Sequence, residues 1–216
     1  MSFEMASLPR GDGEAFALPS DPLSGEAVLE LIRAAVVRAR QHHPAGDVPV
    51  ALATADADGN PSVRMVLIKD VDERGVVLYT NMHSRKGREL RDRGRAALVI
   101  YIREIGQQLR VEGPVEEAEP ELSEAYWASR PRGYQLAGRA SAQSDAIASR
   151  DELLERVEAE GHRFASDQPV PRPEHWAGQR ILPDCVELWR HCDDRLHERH
   201  ELRLEGGTWE RRLLAP

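Results

Sequence analysis

The sequence predicts a mainly β protein with peripheral helices (α+β), its strands forming a closed or nearly closed antiparallel barrel. Three observations carry that expectation. Short β-rich runs recur at Val50–Ala55, Ser62–Lys69, Val76–Thr80, Ala96–Ile102 and Gln108–Glu116, at the spacing of hairpin-connected strands. Turn chemistry separates the first three, at Asp58-Gly59-Asn60 and at Asp72–Gly75, as an antiparallel meander requires. The helices between them are short, and neither GxGxxG nor a Walker loop is present, which speaks against a doubly wound parallel sheet.

Taken in order, residues 1–20 mix Gly, Pro, Asp and Glu without periodicity and read as a flexible arm; residues 21–216 read as one domain. After Asp21-Pro22, apolar residues at Val28, Leu31, Ile32, Ala35, Val36 and Ala39 recur at helical spacing until Pro44 and Gly46 break the pattern. A second helix is expected over Ser84–Arg91, between the third and fourth strands. Helices also fit Pro120–Ser129 and Arg150–Phe164, and the polar stretch Arg130–Ser144 between them reads as a long functional loop. Beyond the Pro-rich turn at Pro169–Pro173, Cys185–Trp189, His200–Leu204 and Trp209–Leu213 read as closing strands, the last two joined by Gly206-Gly207.

Composition narrows the partners. The 216 residues are 41% hydrophobic and 31% charged with a net charge of −8, so any basic cluster is a local site in an acidic protein. A general nucleic-acid or anionic-membrane surface is not expected. No apolar run reaches the roughly 20 residues of a membrane span, and the N-terminus lacks the basic-then-apolar order of a signal peptide. Cys185 and Cys192 make neither a disulfide framework nor a metal-site spacing, so a cytoplasmic protein without a metal is expected.

Chemistry concentrates in two places. Between Arg64 and Lys86, the cations Arg64, Lys69, Arg85 and Lys86 accompany the hydroxyls of Thr80 and Ser84, and Ser84 is placed to cap the helix that follows. Charge-assisted donors at a helix N-terminus suit a phosphate; the plain alternative is a solvated basic turn. Strand alternation sets Arg64 and Lys69 on opposite faces, roughly 16 Å apart, which favours an elongated phosphorylated ligand. In Arg195-Leu-His-Glu-Arg199, alternation puts Arg195, His197 and Arg199 on one face, suited to orienting a substrate or to blunting a charged sheet edge.

RMVLIK, YTN, SRKGREL, QQLRVEG, YWASRPR, the Gln143-Ser144 pair, Trp189, RLHER and the terminal RRLLAP occur in an order that resembles the pyridoxamine 5′-phosphate oxidases, from about Pro22 to Pro216. The resemblance implies an FMN-binding split β-barrel and a homodimer with two FMN sites at the subunit interface. It implies oxidation of pyridoxamine or pyridoxine 5′-phosphate to pyridoxal 5′-phosphate, with O₂ as acceptor and H₂O₂ as product. Carried over by position, FMN falls on Arg64, Met65, Val66, Leu67, Ile68, Lys69, Tyr79, Thr80, Ser84, Arg85, Lys86, Gln108, Gln143, Ser144, Trp189 and Arg199. Lys69, Tyr126, Arg130 and Tyr134 fall around the substrate phosphate. Arg195 and His197 fall over the substrate ring, as catalytic residues.

The chain departs from the family pattern in places. Tyr134 stands where Ser is usual, Arg139 where Trp is usual, Gln107 where Arg is usual, and RLHER replaces RLHDR. The related oxidases of phenazine biosynthesis share the barrel, an RLHER-type segment and the QQ pair. Oxidation of a reduced aromatic is therefore the alternative, and a non-catalytic flavin-binding protein a second. The expected phosphate holders Lys69, Tyr126 and Arg130 place the vitamin phosphate first. Trp176 and Trp209 are expected to serve packing.

Overall fold

The computed structural model describes residues 16–43, 47–164 and 168–216. Residues 1–15 of the expected arm lie outside them. Phe16, at the arm's inner end, is buried, and its backbone exchanges two hydrogen bonds with the Gln107 side chain (3.2 and 3.4 Å). A fully buried amide at position 107 is thereby satisfied.

The described residues form ten strands and five α-helices in the order α1 (Gly25–Gln41), β1 (Val48–Ala55), β2 (Pro61–Ile68), β3 (Asp70–Val71), β4 (Val76–Asn81), α2 (Arg85–Arg93), β5 (Arg95–Ile102), β6 (Gln107–Glu117), α3 (Pro120–Ser129), α4 (Arg132–Ala140), α5 (Arg150–Arg163), β7 (Trp176–Ile181), β8 (Cys185–Arg190), β9 (Glu198–Glu205) and β10 (Thr208–Leu213). All pairings are antiparallel, along the path β10-β9-β8-β6-β5-β1-β2, with β4 joined to β3 and β7, and β7 joined to β6. The long β6 pairs with β8 along its first part and with β7 at its end, so it turns the sheet over and brings β4 and β7 round as the second wall. This is the split barrel that the resemblance implies. Among the described residues no helix is long and apolar enough to cross a membrane.

Alternation builds the core. The inward residues Leu52, Ile68, Leu78, Leu98, Ile100, Leu109, Ile181, Leu188 and Leu202 are fully buried, and each contributes about 1.5–3 kcal/mol of burial. Helix α1 lays Val28, Leu31, Ile32, Ala35 and Val36 on them, begun by the Ser24 cap on Ala27 N. At the barrel seam the backbones nearly touch, since a Cβ on Gly113 would meet Leu182 O at 1.8 Å. Glycine is the residue that permits this approach.

One expectation needs correction, and one strand is added. Arg130–Ser144 is not one loop: α4 occupies Arg132–Ala140, held where the Gln135 side chain donates to Trp127 O at 2.8 Å. Its two glycines and its arginines obscure the helical period. Strand β7 is an addition, because Trp-Ala-Gly-Gln-Arg-Ile lacks a β-rich composition. Its Arg180 is nevertheless buried, with Asp72 at 2.7 Å, Glu116 at 2.8 Å and Glu119 at 2.5 Å neutralising it.

Candidate functional site

Beside β2 and β4 lies a cavity of about 260 Å³ lined by Met65, Val66, Leu67, Tyr79, Thr80, Asn81, Lys86, Arg130, Gly138, Ser141, Gln143 and Trp176. A smaller one of about 150 Å³ is lined by Leu67, Lys69, Tyr79, Tyr126, Arg130 and Trp176. They share Leu67, Tyr79, Arg130 and Trp176, so they are two lobes of one cleft.

The larger lobe is assembled around the start of α2. Ser84 Oγ caps the helix by accepting from Gly87 N, and the distant 141–144 segment is tied to it. Ser144 Oγ accepts from Arg85 N at 3.0 Å, and Lys86 Nζ donates to Gln143 Oε1 at 2.7 Å. Burial, reinforced by the Arg64 charge nearby, pushes the Lys86 ammonium down to about 8. Among the described residues no carboxylate forms an ion pair with Lys86. Thr80 Oγ1 is buried in the wall without a hydrogen-bond partner. An amine without a counter-ion and an orphaned hydroxyl fit the phosphate of a ligand.

Arg64 and Arg85 stand behind this lobe and line neither cavity. Both are braced on the buried Glu89. Arg64 Nη2 lies 3.1 Å from Glu89 Oε2, Arg64 Nη1 donates to Thr54 Oγ1 at 2.7 Å, and Arg85 Nε donates to Glu89 Oε1 at 2.7 Å. Burial alone would raise the Glu89 carboxyl, but hydrogen bonds from Ser62, Thr54, Arg85 and Arg64 hold it at about 2.

The smaller lobe carries the other end of the charge. Lys69 follows the last residue of β2, and its Nζ lies 3.0 Å from Asp47 Oδ1 and 5.8 Å from the Tyr126 ring centre. Arg64 and Lys69 do face different places, as alternation requires. The rings of Tyr126, Tyr79 and Trp176 stack into one wall, with Tyr79–Tyr126 centroids 4.2 Å and Tyr79–Trp176 centroids 5.3 Å apart. Arg130 sits over Trp127 at 5.0 Å and Trp176 at 5.1 Å, with Nη1 buried and unpartnered. Tyr134 lies on α4, 65% exposed, and lines neither lobe.

The remaining expected site residues stand elsewhere in the chain. Cross-strand register puts Gln108, Trp189 and Arg199 in one row on β6, β8 and β9, separated from β2 by β5 and β1. Arg199 is paired with the buried Glu187 at 2.8 Å. His197 lies 4.7 Å from Trp189 between ring centroids, and its Nδ1 accepts from Cys192 N at 3.1 Å. Arg195 is not in an extended segment: it is left-handed at φ 64°, and its N–H donates to Cys192 O before β9 begins. Its setting comes from this turn, not from strand alternation. None of these five residues lines either lobe.

That row shares a sheet face with an apolar surface. Met65 is opposite Ala51 and Ala51 opposite Val99, while Tyr101 is opposite Gln108, so Val63, Met65, Val99, Tyr101, Gln108 and Trp189 point the same way. Val63, Met65 and Tyr101 are 69%, 62% and 52% exposed. Sequence reasoning assigned Trp176 to packing alone. It does pack with Trp127 and Val170, but its ring also lines both lobes, and nothing in its local sequence distinguishes the two roles.

The family described as pyridoxamine 5′-phosphate oxidase matches residues 41–163, and the pyridoxine 5′-phosphate oxidase C-terminal dimerisation region matches residues 176–216. A pyridoxine/pyridoxamine 5′-phosphate oxidase of Myxococcus xanthus (strain DK1622) is 43% identical over 199 residues, covering 92% of this chain and 93% of that protein. One of Chromohalobacter salexigens is 39% identical and covers 100% of both chains. Among solved structures, PhzG from Burkholderia lata 383, in complex with tetrahydrophenazine-1-carboxylic acid, superimposes with a TM-score of 0.80 at 33% identity, covering 96% of this chain and 100% of that one. The chain therefore belongs to the pyridoxamine 5′-phosphate oxidase family of flavoprotein oxidoreductases.

Proposed function

We propose that this protein is an FMN-dependent oxidase of pyridoxamine and pyridoxine 5′-phosphate, using O₂ and releasing pyridoxal 5′-phosphate and H₂O₂. The observation that carries the reading is the two-lobed cleft, with a buried unpartnered hydroxyl, Thr80 Oγ1, in its larger lobe and a buried unpartnered guanidinium nitrogen, Arg130 Nη1, on the side chain that lines both lobes. Lys86, Thr80, Gln143 and Ser144 would hold the FMN phosphate, backed by Arg64 and Arg85, and Met65–Leu67 would line the flavin. Bound FMN supplies the two-electron acceptor. Lys69, Tyr126 and Arg130 would take the substrate phosphate. With Nδ1 accepting a backbone N–H, the His197 ring has Nε2 left as its donor, which would face the substrate ring.

A homodimer completes the site. The exposed apolar face of β2 and the row Gln108, Trp189 and Arg199 lie on one sheet face, so a two-fold axis through it sets the C-terminal row of one subunit against the Met65–Leu67 edge of its partner. A cytoplasmic setting accords with Cys185 and Cys192, both free thiols. The decisive experiment reconstitutes the dimer with FMN and follows peroxide on addition of pyridoxine 5′-phosphate. Release of peroxide with pyridoxal 5′-phosphate supports the reading; turnover of a dihydrophenazine carboxylate alone would transfer it to the second substrate class, which the likeness to PhzG favours.

A further inference from the structure

Among the described residues Arg130 is the one cation that lines both lobes, and its surroundings are unusual for a guanidinium. Its Cζ lies in a corner between two indoles, 5.0 Å from the Trp127 centroid and 5.1 Å from that of Trp176, which meet edge to face at 68°. The third side is closed by α4, where a Cβ on Gly138 would come within 3.1 Å of Arg130 Nη1. Trp127 is itself fixed, its Nε1 donating to Val170 O at 2.8 Å. Trp176 is fixed by stacking on Tyr79 and by its place at the start of β7, opposite Asn81. The corner leaves Nη1 buried and unpartnered.

A long flexible side chain loses much rotamer freedom when it closes on an anion, and desolvation opposes holding its charge ready. Two aromatic faces offset both costs by supplying electron density to the cation and fixing its plane. We propose that Trp176, with Trp127, is a positioning residue that holds Arg130 in the orientation that receives the substrate's phosphate monoester. This rests on the reading of Arg130 as a phosphate holder. It assigns Trp176 a specificity role in which the indole acts on the phosphate end of the substrate alone, through Arg130.

The test compares a phosphorylated ligand with its dephosphorylated form on the FMN-loaded dimer, by equilibrium binding of pyridoxal 5′-phosphate and of pyridoxal. Trp176→Leu is expected to weaken pyridoxal 5′-phosphate about tenfold or more and pyridoxal less than about twofold. Trp176→Phe, which keeps a ring with a weaker face, is expected to give a partial loss and carries the test if the leucine variant does not fold. With pyridoxine 5′-phosphate the same variants are expected to raise KM while kcat stays within about threefold. In an Arg130→Ala background, Trp176→Phe is expected to have no further effect. Equal weakening of both ligands, or an undiminished effect without Arg130, would make Trp176 a packing residue and overturn the proposal. Wild-type protein that binds pyridoxal and its phosphate equally would instead overturn the phosphate-holding role of Arg130 itself.

Discussion

The cleft beside β2 and the row along β6, β8 and β9 are made of similar residue types, yet one chain treats them differently. In the cleft, donors are left over: Lys86 lacks a carboxylate partner among the described residues, and Thr80 Oγ1 and Arg130 Nη1 are buried without partners. In the row the charge is spent internally, as Arg199 on Glu187, and none of its residues lines either lobe of the cleft. Unspent donors in a concave wall mark where a ligand goes; matched charges on a flat face mark what another surface covers. On the proposed function, the N-terminal half of the site would be preformed within a subunit and the C-terminal half would depend on assembly.

The sharpest way to break this comparison is to charge the apolar face without touching the cleft. Val63 lines neither lobe, so Val63→Asp is expected to leave the fold intact, dissociate the dimer in sedimentation experiments and reduce turnover by about 100-fold or more, because it buries an unpaired carboxylate in the interface. A dimer of unchanged activity would show that the row reaches the cleft some other way.

A smaller effect is expected at Lys86, inside the cleft. Lys86→Met should weaken FMN by roughly 10- to 150-fold, the loss of one charged hydrogen bond of about 1.5–3 kcal/mol, as read by flavin fluorescence quenching. The pH dependence has a definite sign. With Lys86 at about 8 in the ligand-free protein, its charge is present at pH 7 and lost above 8, so FMN affinity falls as pH rises from 7 to 9.5, and the Met variant lacks this slope. Because the folded value lies below that of the unfolded chain, the unfolded state holds more protons in that window, and Lys86 makes the ligand-free protein more stable as pH rises.

The smallest effect sharpens the boundary of the cleft. Tyr134 is exposed outside both lobes, so Tyr134→Ser is expected to change stability by under about 0.5 kcal/mol and KM for pyridoxine 5′-phosphate by less than about threefold. A tenfold fall in KM would mean that the ring turns into the smaller lobe when substrate binds.

How far the sequence reaches can be judged from particular elements. Strands β1, β2, β4, β5 and β6 follow from β-rich composition and the turn residues between them, and Ser84 as a helix cap from its place before Arg85. These are local signals, set by the steric and hydrogen-bonding preferences of a few adjacent residues. Strand β7 was missed because its placement depends on partners distant in sequence, Asp72, Glu116 and Glu119 around Arg180, and helix α4 because its glycines and arginines obscure the helical period.

The candidate site divides in the same way. By itself the sequence determined which residue types are available for an anion, through the cluster from Arg64 to Lys86, and through the resemblance it named Gln143, Ser144 and Arg130 beside them. Only the tertiary structure decided that Lys86 faces the cavity while Arg64 and Arg85 turn to Glu89, and that Trp176 closes on Arg130. Composition states how many charges a chain carries. Which of them find a carboxylate is set by the neighbours that the fold supplies, Glu89 for Arg64 from 25 residues away but only the neutral Gln143 for Lys86 from 57 residues away, and that is a property of packing.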